Sequence, residues 1–222
     1  MITAIQIATS TSILFMANAI PGWCVPEQAP EINVMPTTNE VRFEYNRSSD
    51  QLSQFEISHS PYKPGTPTRV KGLHKGNIQF KTELEVSTHT NGETGKTCLN
   101  YNVINVRFHI DPTIYITNEH MPGTCEHEAI HEHEMKHLMT DRHLINEYSQ
   151  KIGQAIHEDF RSYGYIWGPI DRNRSEEIFG EMRQNLINIV KPVISEMEIE
   201  RQERQKAIDT IEEYERVANA CR

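Results

Sequence analysis

The sequence offers no run of eighteen apolar residues, so no mature transmembrane helix is expected. Basic residues are in deficit: 22 Lys and Arg stand against 31 Asp and Glu, a net charge of −9. That balance argues against a nucleic-acid partner held through a basic face. There is no Gly-rich phosphate loop and no G-x-S-x-G elbow, which leaves nucleotide and serine-hydrolase chemistry without support. The cysteines number only 4 and form no C-x-x-C pair, which excludes a structural zinc ribbon. Internal repeats and low-complexity tracts are also lacking. A chain of 222 residues suits one domain with appendages, or two small ones.

The richest stretch runs from Cys125 to His137 and holds two copies of H-E-x-x-H, His127-Glu128-x-x-His131 and His133-Glu134-x-x-His137. Residues four apart lie one turn above each other on a helix. Two imidazoles so placed can bind one metal ion, and the glutamate beside the first can act as general base on an activated water. The copies are six residues apart, so at about 100° per residue they face different ways and at most one is the active frame. The bland alternative is a solvated His/Glu-rich face that binds metal loosely.

The ends of the chain suggest export. Ile13 to Ala17 is apolar and Ala17-Asn18-Ala19 fits a small-x-small cleavage site, so residues 1–19 read as a signal peptide and the protein as periplasmic or secreted. No Lys or Arg precedes Arg42, which departs from the usual signal pattern. An even cysteine count in an exported chain implies two disulfides. Of the three pairings, Cys98–Cys125 with Cys24–Cys221 is preferred, since it ties a strand start to the histidine helix and pins both chain ends.

Periodicity supplies the elements. Residues 20–40 are Pro-rich and polar, an extended lead-in, and Val41, Phe43 and Tyr45 alternate as a short strand. Residues 60–76 are rich in breakers and read as loop. Ile78, Phe80, Leu84 and Val86, then Ile104, Val106, Phe108 and Ile110, alternate with polar residues as a long antiparallel hairpin turning at residues 91–96. Asp111-Pro112 should break it, with a further short strand at residues 113–117. A helix is expected from about Cys125 to Arg161, with Thr124 as N-cap. Residues 162–169 are an aromatic break. Beyond them a helical stripe of Ile178, Met182, Leu186, Val190 and Met197 passes Pro192 into a charged tail at residues 198–219. This tail reads as a solvated helix, with self-association or partner contact through the C-terminal helices as the alternative.

The segment from Cys98 to Lys151 resembles the DUF922-type family of predicted secreted Zn-dependent proteases. The resemblance is carried by a cysteine-led strand, the short strand Thr113-Ile114-Tyr115-Ile116, Gly123-Thr124-Cys125, an H-E-x-x-H about eight residues past that cysteine, and a long amphipathic helix. It covers roughly a quarter of the chain. It implies that His133 and His137 hold Zn²⁺ and that Glu134 is the catalytic base. His143 stands where metzincins place a third histidine, although Thr140 replaces their glycine. Glu158, Glu176, Glu177 and Glu181, or His59, His74, His89, His109 and His120, are the other sources of a third ligand.

The expectation is therefore an α+β fold: an antiparallel sheet, a long H-E-x-x-H helix packed on it and a helical C-terminal extension. Residues 20–161 would form a zincin-like domain and 162–222 the extension. The expected function is an exported zinc-dependent hydrolase, a metallopeptidase acting on peptide or protein substrates. The rivals are a periplasmic zinc or copper buffer and an envelope protein that uses its C-terminal helices for contact.

Overall fold

A computed structural model describes residues 20–55, 61–63, 66 and 69–222. The signal-peptide segment 1–19 and His59 lie outside the described residues. The chain forms β1 (Glu31–Thr38), β2 (Arg42–Glu44), a short α1 (Ser49–Leu52), β3 (Gly72–Thr90), β4 (Lys96–Ile116), α2 (Cys125–Tyr163), β5 (Ile166–Asp171), α3 (Ser175–Ile208) and α4 (Ile211–Asn219).

All five strands belong to one sheet built on β4. The expected antiparallel sheet is corrected here: β1 and β2 both run parallel to β4, so these three strands share one direction. Only β3 and β5 pair with β4 in the antiparallel sense. The sheet is mixed, while the combination of α and β elements stands. The cause lies in the lead-in. Residues 31–38 lie beside residues 103–110 of β4, and Arg42–Glu44 continue along the same flank beside residues 113–115. Pro36 breaks no rule there, because an edge strand tolerates a residue without an N–H. The chain then crosses to the opposite flank as β3 and returns through the hairpin as β4.

The hairpin is longer than periodicity indicated. Asn91 Oδ1 accepts from the backbone N–H groups of Glu93 and Thr94 at 3.0 and 2.9 Å, and Gly95 takes a φ of 68°, which closes the turn. Asp111-Pro112 does not interrupt β4, which continues to Ile116. Asp111 instead forms a two-bonded ion pair with Arg42 of β2 at 2.8 and 2.9 Å. A register shift at Glu85/Val86 lets Tyr101 and Ile104, an odd number apart, both point into the core.

Helix α2 starts where Thr124 Oγ1 accepts from His127 N at 3.3 Å and stops at Gly164, whose φ of 82° no other residue adopts cheaply. Its 39 residues make a rod about 58 Å long. Leu144, Ile145, Tyr148, Ile152 and Ile156 are buried against Ile104, Val106, Phe108 and Ile110 of β4 and against Met182, Leu186, Val190 and Met197 of α3. Each such side chain contributes about 1.5–3 kcal/mol of burial. Pro192 sits inside α3 without ending it. The aromatic break after α2 is β5, which adds to the sheet beside the start of β4.

The disulfides are Cys24–Cys98 and Cys125–Cys221, with Cα separations of 5.5 and 5.7 Å, and not the pairing preferred from sequence. The lead-in packs on the start of β4, which places Cys24 there. α4 folds back to the start of α2, which places Cys221 beside Cys125.

Candidate metal centre

The charged tail does not continue as one helix. α3 ends at Ile208, Asp209 and Thr210 are non-helical, and α4 begins when Thr210 Oγ1 accepts from Glu213 N at 3.2 Å. This break points Asp209 at the histidine helix. His133 Nε2 and His137 Nε2 lie 3.3 Å apart, and Asp209 Oδ1 lies 3.3 Å from the first and 3.1 Å from the second. Among the described residues this is the only group of three His, Cys, Asp or Glu side chains whose ligand atoms converge as a metal site requires.

The hydrogen bonds around the rings fix their protons. Gln205 Nε2 donates to His137 O at 3.1 Å and to Asp141 Oδ1 at 2.7 Å, so its Oε1 faces His137 and accepts from Nδ1–H. His133 Nδ1 donates to Glu213 Oε1 at 3.3 Å. Both neutral rings therefore turn an Nε2 lone pair toward the Asp209 carboxylate. Three acceptors without a proton between them repel one another, and a cation relieves this. With no cation, protons must serve. Burial works against a charged imidazole, but Asp209 and Glu134 outweigh it and raise both histidines above their usual range. Burial alone would raise Asp209, yet its bonds to His133 and His137 bring it down to about 2. The donor set and its field fit a metal ion.

The supports extend outward. Asp141 is fully buried, and Arg201 Nε and Nη2 hold its two oxygens at 2.7 Å each. Such a buried carboxylate must stay paired. Arg216 first, with Lys136 and His133, holds Glu213 far below the carboxylate range. Tyr214 sets its ring edge on His133 at 5.6 Å, and its hydroxyl donates to Asp209. Burial, with the charges of Asp209 and Glu134, keeps that hydroxyl protonated well above its usual value. Glu134 points to the sheet, where it accepts the backbone N–H of His74, and burial pushes it up to about 7. His74 is pushed down to about 4 by burial, so its ring is neutral.

The other sequence candidates fall elsewhere. His143 is exposed on the unbroken α2 and does not join the group. Six residues beyond His137 it has turned to another side, for lack of the glycine that would bend the chain. Glu158, Glu176, Glu177 and Glu181 are exposed. In the first motif copy His127 is buried, with Nδ1 at 3.1 Å from His120 O, and its ring neighbours are Tyr45 and His131. The residue that sequence reasoning missed is Asp209. Its signal was Thr210-Ile211-Glu212-Glu213, a helix-start pattern inside what read as one helix.

No protein-family model matches the chain, and no curated protein or solved structure matches it. No helix among the described residues is long and apolar enough to cross a membrane. Two disulfides are compatible with an extracellular or periplasmic location.

The clasp at Cys125–Cys221 leads to a direct prediction. It closes a separation of 96 residues and holds α4, with Glu213 and Tyr214, over the histidines. In the chain-entropy model such a closure is worth about 4–5 kcal/mol. Cys221→Ser should free the end of α4, so that from protein loaded with a metal ion a chelator would strip the ion at lower concentration than from the wild type. Chelator titration followed by elemental analysis measures this.

Proposed function

We propose that the protein is an exported zinc metallopeptidase. One observation carries the zinc assignment: the three ligand atoms form a triangle with edges of 3.1, 3.3 and 3.3 Å. Ligands at about 2.0–2.1 Å from a tetrahedral zinc are separated by about 3.3–3.4 Å. Three protein ligands leave one position open, the arrangement of catalytic rather than structural zinc.

A zinc ion held by His133, His137 and Asp209 would lower the pKa of a bound water and polarise a substrate carbonyl. Glu134 adjoins the first ligand without joining the triangle, and with a metal bound its carboxylate would be the group to take a proton from the attacking water and return it to the leaving amine. Tyr214 and Glu213 bound the site on the α4 side. The outer edge of β3 carries no strand among the described residues, and β3 reaches the site at residues 72–76. An extended peptide laid along that edge would bring its backbone to the metal. The two disulfides are compatible with an exported location.

A metal buffer is the second reading. It is favoured by closure: His133, Glu134 and His137 are only 7%, 5% and 8% exposed. The two readings part on turnover. Protein purified with its disulfides intact and without added metal is expected to carry one zinc per chain and to cleave members of a broad peptide library. Stoichiometric zinc or copper with no cleavage would favour the buffer, and no bound metal of any kind would sink both.

A further inference from the structure

The chemistry proposed above needs the Glu134 carboxylate and the His137 ring held in place, and both lean on one strand. Gly72, His74 and Gly76 share a face of β3, since alternate strand residues do. Glu134, His137 and Asp141 share a face of α2, being three and four apart. The two rows meet in register. A Cβ added to Gly72 would lie 2.4 Å from Glu134 Oε1, 2.9 Å from Glu134 Cγ and 2.5 Å from Ile130 Cγ2. One added to Gly76 would lie 2.4 Å from Asp141 Oδ2 and 2.7 Å from His74 Cε1. Between them His74 stacks on His137, with ring centroids 6.4 Å apart and planes within 6°, while its backbone N–H donates to Glu134. Gly76 O accepts from Arg201 Nη2 at 2.8 Å, and Arg201 is the partner of Asp141.

Neither glycine has a positive φ, so the backbone conformation does not require them. Glycine weakens a strand interior and marks a close approach instead. Here the approaching groups are the Glu134 and Asp141 carboxylates beside the metal centre, with Ile130 and the His74 ring next to them.

We propose that Gly72-x-His74-x-Gly76 is the positioning track of this centre: Gly72 admits Glu134, His74 backs His137, and Gly76 admits Asp141, which orients Gln205 and through it His137. The catalytic part of this assignment rests on the metallopeptidase reading, while the packing and metal parts do not. The two glycines then have separable effects. Gly72→Ala shifts the proton acceptor and should lower kcat by about 100-fold, as a misplacement near 1 Å does, with KM and zinc affinity kept. Gly76→Ala disturbs the support of a ligand and should weaken zinc by about 10–100-fold, with kcat at saturating zinc within a few-fold of wild type.

The experiment uses the full chain with its disulfides intact. Zinc affinity by chelator competition, kcat and KM on a cleaved peptide, and thermal melting are measured for Gly72→Ala, Gly76→Ala, Glu134→Ala and Gly72→Ala with Glu134→Ala. The expected result is the kcat-against-affinity split, together with a smaller loss of Tm from Gly72→Ala when Glu134 is already alanine. Removing that side chain clears two of the three close contacts and leaves only Ile130. If Gly72→Ala alone does not fold, folding of the double variant carries the same inference. Equal losses of Tm with and without Glu134, failure of the double variant to fold, or undiminished zinc affinity in Gly76→Ala would each overturn the track. A zinc-loaded wild type that cleaves no peptide overturns the function reading alone, and the melting and affinity results then decide the track.

Discussion

Glu134→Gln is expected to lower peptide hydrolysis by about 10²–10⁴-fold, the usual contribution of a positioned general base, while the protein keeps its zinc and its fold. The carboxylate is buried, adjoins the proposed ligand His133 and accepts the His74 backbone N–H. Burial places its proton affinity at about 7, near the pH at which it would work. Glutamine keeps the shape and can still accept the His74 N–H through its carbonyl oxygen, but it cannot take a proton from water. The loss should therefore fall on kcat and kcat/KM alike, the signature of an interaction made in the transition state. Steady-state kinetics beside elemental analysis of the same sample checks both halves. Glu128→Gln is the control. Glu128 belongs to the first motif copy, is exposed and lies outside the metal group, so it should change little. A Glu134→Gln protein that cleaves as fast as wild type would place the chemistry elsewhere in the chain.

How far the sequence could lead is clear from particular residues. α2 was legible because four-residue spacing and the Thr124 cap are local signals, and the core of the hairpin was legible because alternation is local too. The placement of His133 and His137 on one helical face followed from the same spacing. What stayed hidden is long-range. β1 lacks clean alternation and contains Pro36, and only its pairing with residues 103–110 makes it a strand. Its direction relative to β4 is a property of the topology, so the sheet could not be read as mixed. Gly72 and Gly76 looked like loop formers, whereas their reason is the bulk of Glu134 and Asp141 across from them. Cysteine count implied two bridges, but the connectivity depends on where α4 returns. Asp209 lies 72 positions from His137. A single carboxylate in a tail dense with Glu and Asp carries no pattern until the helix break aims it.

Asp209→Ala should remove the zinc. Losing a group that merely supports a ligand costs about 10–100-fold in affinity, and losing a ligand should exceed that upper figure. The geometry makes the difference concrete. Asp209 Oδ1 is the one anionic corner of the triangle, at 3.1 and 3.3 Å from the two Nε2 atoms. Without it two neutral imidazoles remain, one ligand short of the three that catalytic zinc usually has. Asp209→Asn keeps the size and one oxygen but loses the charge, so it should fall between alanine and wild type. Asp209→Ala also deprives the Tyr214 hydroxyl of its acceptor, so a Tyr214→Phe protein separates that effect. Zinc affinity in Tyr214→Phe should stay within about tenfold of wild type, in line with a support rather than a ligand. Isothermal titration of the metal-free proteins, with the fold checked by circular dichroism, gives the order wild type, Tyr214→Phe, Asp209→Asn, Asp209→Ala. An Asp209→Ala protein that binds zinc as tightly as wild type would show that the third ligand is not Asp209. The His133–His137 pair would then be completed by a group outside the described residues or by solvent.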